Sequence, residues 1–198
     1  MNQEINDATH LVNQLLVAMP SMVDDAFSGS VVYLCEHNTQ GAMGLVINRP
    51  ADVDLGELFN KIDLKLEISP LINQPVYLGG PVQTDRGFVL HEPLADDVHY
   101  SSSLVIPEGL SMTTSKDVLE AVSEGLGPIK FLMTLGYAGW AAGQLEEEIS
   151  QNTWLNVSTD FESLKKIVFD TPYELRYQEV MSLIGIDPNY LSGDIGHA

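Results

Sequence analysis

The sequence predicts an α+β domain: a mixed, largely antiparallel β-sheet built from hairpins, with flanking helices. Three observations carry this. Apolar, β-branched runs such as 31–35 and 45–47 flank polar, Gly-bearing segments, which is a hairpin pattern. The hairpins come first and most of the helical spacing comes later. One strand–helix–strand order, over 110–113, 115–124 and 129–135, predicts a single βαβ-type unit with a right-handed crossover.

Taken in order, QLLVAM (14–19) reads as a first strand, stopped by Pro20. SVVYLCEHNTQGAMGLVINRP (30–50) is the first hairpin. Residues 54–62 place Leu55, Leu58, Phe59 and Ile62 on one helical face. Strands over 75–78 and 87–90 flank GGPVQTDRG, too long for a tight turn and therefore a shaped loop. A further hairpin spans 98–106 and 110–113 through Pro107-Glu108-Gly109. Thr114 to Asp117 resembles a capping box, and Gly125 is placed to end the helix that follows. The apolar run 131–135 is a strand buried on both faces, turning through 136–140 into an acidic helix. Thr171-Pro172-Tyr173-Glu174 reads as a second capping box. Its helix faces inward through Tyr173, Tyr177, Val180, Met181 and Ile184, and stops at Gly185 and Pro188. No repeat or linker divides the chain, so 1–198 is read as one domain with a frayed tail from Asn189.

Composition bounds the function. Nine basic residues face 28 acidic ones, a formal net charge of −19, and no basic cluster overrides that field. Nucleic acid and anionic membrane surfaces are therefore not expected partners. The amino terminus is acidic and polar, the reverse of a secretory leader, and no apolar run approaches the roughly 20 residues that span a bilayer. A single cysteine excludes an internal disulfide framework and fits a reducing compartment, so a cytoplasmic protein is expected.

The strong catalytic and phosphate motifs are absent: GxxxxGK[ST], GxGxxG, GxSxG, HExxH and CxxC. Cys35, Glu36, His37 and Asn38 set a thiol, a carboxylate and an imidazole side by side. Strand alternation sends neighbours to opposite faces, and Cys35 ends an apolar run, so a buried, inert thiol is expected. His37, His91 and His99 have no metal-ligand spacing, and neither metal nor cofactor is expected. Asn48-Arg49-Pro50 and Asp85-Arg86-Gly87 hold two of only three arginines. A guanidinium fork in a loop suits a carboxylate or phosphate ligand, and equally an intramolecular acid. Gly136, Gly139 and Gly143 permit a close strand-to-helix turn, and Glu146 to Glu148 read as a solvated helix face.

LLVAMPSM, SVVYLCEHNTQGAMGLVINRP, LGGPVQTDRGFVLH, LGYAGWAAGQLEEEI and FDTPYELRY…LIGID, in that order, resemble the AlgH/YqgE family (UPF0301, DUF179) across nearly the whole chain. The resemblance implies a small bacterial, cytosolic α+β protein of no established activity, and no catalytic residue is carried over. One member's name points to transcriptional regulation of alginate production, but the charge here disfavours direct DNA binding.

The expected function is that of a non-catalytic binding or regulatory protein. Its site would form where 36–42, 48–50, 79–87 and 136–144 converge, using Glu36, His37, Asn38, Asn48, Arg49, Gly80, Asp85, Arg86, His91, Trp140 and Gln144. The occupant would be a protein partner or a small anionic ligand. The rival reading is an enzyme or ligand-binding protein acting on an anionic metabolite.

Overall fold

The computed structural model describes residues 11–187 apart from 96; the tail from Asn189 lies outside them. A ten-stranded, curled sheet runs through it. Leu15–Ala18 (β1), Val31–Asn38 (β2) and Gly41–Val46 (β3) form its antiparallel start. Pro50–Asp54 (β4) leads into helix Leu55–Lys61 (α1), where Asp54 and Glu57 form a reciprocal capping box. After the short helix Ser69–Ile72 (α2) come Pro75–Leu78 (β5), Val82–His91 (β6), Ser103–Val105 (β7) and Ser111–Thr113 (β8). Helix Lys116–Ser123 (α3) crosses to Phe131–Ala141 (β9), and Gln144–Ser150 (α4) leads to Trp154–Val157 (β10). Phe161–Lys165 (α5), a π-helical turn at Lys166–Asp170 and Tyr173–Leu183 (α6) complete it.

The spatial order is β10-β1-β2-β3-β9-β6-β8-β7. β8 and β9 both run antiparallel to β6, which lies between them, so β8-α3-β9 is the expected βαβ-type crossover around one intervening strand. β9 is the hub: β6 lines one edge, while β5 and then β3 share the other.

Alternation sorts the apolar residues into three layers. Tyr33, Leu45, Phe88, Leu90 and Leu132 face one side, covered by Ile167, Val168, Val180 and Met181 of the C-terminal helices. On the opposite side Val32, Leu34, Trp140 and Trp154 pack under Leu145 of α4, and Val89 and Met133 pack under α1 and α3. The first face continues past the C-terminal helices as an uncovered groove.

Four local expectations change. Residues 136–140 continue β9, because β3 pairs with 138–141 and supplies the edge partner a turn would lack. The loop 79–87 is mostly strand: Val82 and Gly87 both pair with β9, and only 83–86 bulge out, opposite Gly136. Neither later capping box forms. Ser115 caps α3 without a side-chain bond, and the Thr171 hydroxyl donates to the Lys166 carbonyl instead. On α6, Arg176 is buried where the periodicity places apolar residues, and Ile184 is exposed.

The crossing at the bulge needs two glycines. Gly136 has φ +74°, and a Cβ there would lie 2.4 Å from the Gly80 carbonyl; one on Gly80 would lie 2.1 Å from the Tyr137 backbone. Among the described residues no helix is long and apolar enough to cross a membrane.

Candidate functional site

The groove has a volume of about 650 Å³, within the usual range for ligand sites. Three of the four predicted segments converge on it, through Glu36 to Met43, Val82 to Arg86 and Tyr137 to Trp140. β7 and β8 close its far side. Glu36 reaches it because a bulge after Leu34 restores the pairing as Glu36 opposite Met43, so both side chains face the groove. The second bulge, at 83–86, presents Gln83 and Arg86. Phe88, Met112 and Tyr137 supply an apolar floor.

Among the described residues Arg86 is the only cation lining this groove. Its two Nη groups donate to Gln83 Oε1 and Thr114 Oγ1, each at a long 3.3 Å, and its guanidinium lies 5.4 Å over the Phe88 ring. None of these partners is a carboxylate. Across the groove, Glu36 accepts from Asn38 Nδ2 at 2.9 Å, and Asn38 Oδ1 holds the Gln40 amide at 2.8 Å.

A chain of hydroxyls runs from the groove into the core. Ser103 Oγ lies 2.7 Å from Thr113 Oγ1, which lies 2.9 Å from His91 Nε2; His91 Nδ1 lies 2.7 Å from the Glu92 carbonyl. A carbonyl only accepts, so Nδ1 carries the proton and Nε2 is the acceptor. Thr113 must then donate to His91, and Ser103 to Thr113. Burial holds the His91 imidazole below its ordinary pKa, partly offset by the Glu92 carbonyl, and His91 is fully buried with no carboxylate bonded to it. It is a poor proton sink. The chain therefore serves structure, and Ser103 turns lone pairs toward the groove.

The remaining candidates lie elsewhere. His37 occupies the opposite face, buried, with Nε2 2.9 Å from Glu146 Oε1. Cys35 is buried, as expected, and burial, then the Glu36 charge, raises its thiol pKa far above the ordinary range. Arg49 donates to the carbonyls of Asp25, Ala26 and Ser28, and Asn48 joins the Val31 amide to the Gly29 carbonyl. Segment 48–50 thus fastens the 24–29 loop and stays out of the groove. Gly80 serves the strand crossing. Asp85 is exposed on the bulge and does not line the groove.

Trp140 borders the groove but its indole is engaged on the α4 side, where Nε1–H donates to Glu148 Oε2 at 2.9 Å. The Trp154 indole donates to the same oxygen at 2.9 Å, and Gln144 Nε2 holds Glu148 Oε1 at 2.9 Å. Glu148 therefore anchors α4, whereas Glu146 and Glu147 are exposed as expected, Glu146 also reaching His37. Among the described residues no group of three His, Cys, Asp or Glu is placed to hold a metal.

Sequence reasoning missed Gln83, Phe88, Met112 and Thr114, which reach the groove only through tertiary pairing. It also missed Arg176, buried with Nε on the Thr171 carbonyl at 3.0 Å, Nη1 on the Ile47 carbonyl, and its guanidinium 5.0 Å over Tyr77.

Similarity to known proteins bears on the whole chain. A UPF0301 protein of Burkholderia multivorans is 61% identical over 193 residues, and one of Paraburkholderia phymatum 62%, each covering 98% of both chains. The solution structure of AlgH from Pseudomonas aeruginosa superposes with a TM-score of 0.74 at 45% identity over the full length of both chains. A crystal structure from Corynebacterium diphtheriae, 23% identical over 92% of this chain and 91% of its own, shares the fold with a TM-score of 0.65. A sequence model described as AlgH-like (DUF179) matches residues 15–189, and the chain belongs to that family.

Proposed function

We propose that the protein is a non-catalytic binding protein whose groove holds a ligand with an apolar body and a carboxylate or phosphate group. One observation carries the reading. Arg86 stands over an apolar floor with only neutral, long hydrogen-bond partners, in a chain that has 28 acids available to pair with it. A planar fork left without a carboxylate suits a bidentate anion. Binding is favoured over turnover because among the described residues no histidine lines the groove, and the Ser103 proton is committed to Thr113. The acidic charge supports a reading without nucleic-acid contact, and the lone cysteine supports a cytoplasmic one.

Thermal shift against aromatic and aliphatic carboxylates and phosphate monoesters tests this. A ligand at about 100 times its Kd stabilises by about 2.7 kcal/mol, which is roughly 5–10 °C for a chain of this size. Arg86→Ala should abolish the shift. Arg49→Ala should lower the melting temperature of the free protein yet leave the ligand's shift intact. Absence of any shift across the panel, or a shift that survives Arg86→Ala, would refute the proposal.

A further inference from the structure

Among the described residues β7 is the last strand of the sheet on its side, and no strand pairs with its outer edge. The Thr114 amide donates to the Ser102 carbonyl at 2.9 Å, and the Ile106 amide to the Leu110 carbonyl at 3.0 Å. Bonded and non-bonded pairs alternate in an antiparallel ladder, so Leu104 opposite Met112 is the bonded pair between them. Ser103 and Val105 therefore turn their N–H and C=O groups away from β8, leaving two donors and two acceptors in a row. Sheet edges are ordinarily blunted by shortness, lysine, proline, a bulge or an inward charge, and β7 is short at three residues. Beyond that shortness, Ser103-Leu104-Val105 carries no lysine, proline, bulge or charge, and Val105 is 69% exposed.

That edge forms one wall of a slot of about 700 Å³. Leu104, Val105, Pro107 and Glu108 line it together with the 12–14, 35–37 and 158–159 segments, and Asn13 Nδ2 donates to the Glu108 carbonyl at 3.0 Å where two of these segments meet. The charged side chains lining it include the carboxylates of Glu36 and Glu108 and no lysine or arginine. His37, also at the slot, has its Nε2 held on Glu146. The slot joins the groove at Glu36 and Leu104.

We propose that this slot is a strand-addition site: an extended segment of a partner protein pairs with β7 and sets Lys or Arg side chains against Glu36 and Glu108. The backbone array supplies the pairing, and alternate side chains of the added strand point into the slot. Charge selects the occupant, since both local carboxylates and the net charge of −19 favour a basic segment over an acidic one. A second copy of this chain is disfavoured on the same ground. The inference goes beyond the anion reading and stands without it, because Arg86 takes no part.

The probe is a capped peptide of alternating lysine and valine, followed by fluorescence anisotropy against the full chain. Binding is expected, with no binding by the glutamate–valine counterpart. Val105→Pro removes an outward N–H that makes no ladder bond, so the melting temperature should hold while the Kd rises at least about tenfold. A peptide N-methylated on the residues that face β7 should fail equally against the unaltered protein. Replacing Glu36 and Glu108 together by glutamine should raise the Kd about fivefold. Arg86→Ala should change nothing here, which separates this site from the groove. No binding at millimolar peptide overturns the proposal. Binding indifferent to both Val105→Pro and N-methylation is charge adsorption and overturns it too. A dimer of the chain that Val105→Pro dissolves would assign the edge to a second copy instead.

Discussion

His91 stands at the inner end of three ordered protons, and its burial has a measurable sign. Its folded pKa lies below the ordinary histidine value, so the native imidazole is neutral where the unfolded one is charged. Unfolding therefore takes up a proton between about pH 6.5 and the depressed folded value, and stability falls as pH drops through that window. Below the folded pKa the loss stops. The group contributes at most about 1.4 kcal/mol per pH unit. An NMR titration should show the His91 ring still neutral below pH 6.5; titration at or above 6.5 would contradict the hydrogen-bond chain. The two arginines make the complementary point. Arg49 and Arg86 each sit in a short polar segment beside Gly or Pro, and nothing local distinguishes them. What separates them is the surroundings each meets after folding: three backbone carbonyls for one, a half-open groove for the other.

Among the elements, α4 shows how a helix too short to hold itself is held. Seven residues are marginal on propensity alone, and Leu145 is its one buried side chain. The Glu148 carboxylate compensates by accepting from the Trp140 and Trp154 indoles on one oxygen. Glu148→Ala strands two buried donors, and a loss of about 3 kcal/mol in urea unfolding is expected; less than about 1 kcal/mol would mean that the indoles find other acceptors. The acidic run looked like solvent-facing charge because periodicity records hydrophobicity, and a carboxylate that caps indoles leaves no trace in it. The hairpins and α3 were legible for the opposite reason. Their signal is local alternation and spacing, as in Val31–Asn38 against Gly41–Val46. The end of β9 was not. Gly136 and Gly139 suggest a turn, whereas the pairing that makes 138–141 a strand comes from β3, about a hundred residues earlier.

At the scale of the molecule, charge dominates. Nine cations cannot neutralise 28 acids, and the ion pairs that form, such as Lys130–Asp170 at 2.7 Å and Lys165–Glu162 at 2.9 Å, are exposed on at least one side. Screening should relieve more repulsion than it weakens attraction. The melting temperature is expected to rise by several degrees from about 0.01 M to about 0.5 M sodium chloride, and a flat or falling trend would count against that balance. Net charge is legible in composition alone. The groove was only partly so: Glu36, Asn38 and Arg86 could be nominated, but the curl that sets β7 and β8 across from them depends on the whole sheet.

One pairing reaches into how the protein is made. β1 is buried residue by residue, and its outer neighbour is β10, with Leu15 opposite Val157. A growing chain cannot complete that match until Trp154–Val157 has left the ribosome. At about 5–20 residues per second, LLVA waits on the order of ten seconds with one edge unsatisfied. Early domain segments usually settle before later ones arrive; here the first strand is among the last to be enclosed. Nascent chains truncated before Trp154 should therefore engage a holding chaperone through this strand, and release should follow the emergence of residue 157.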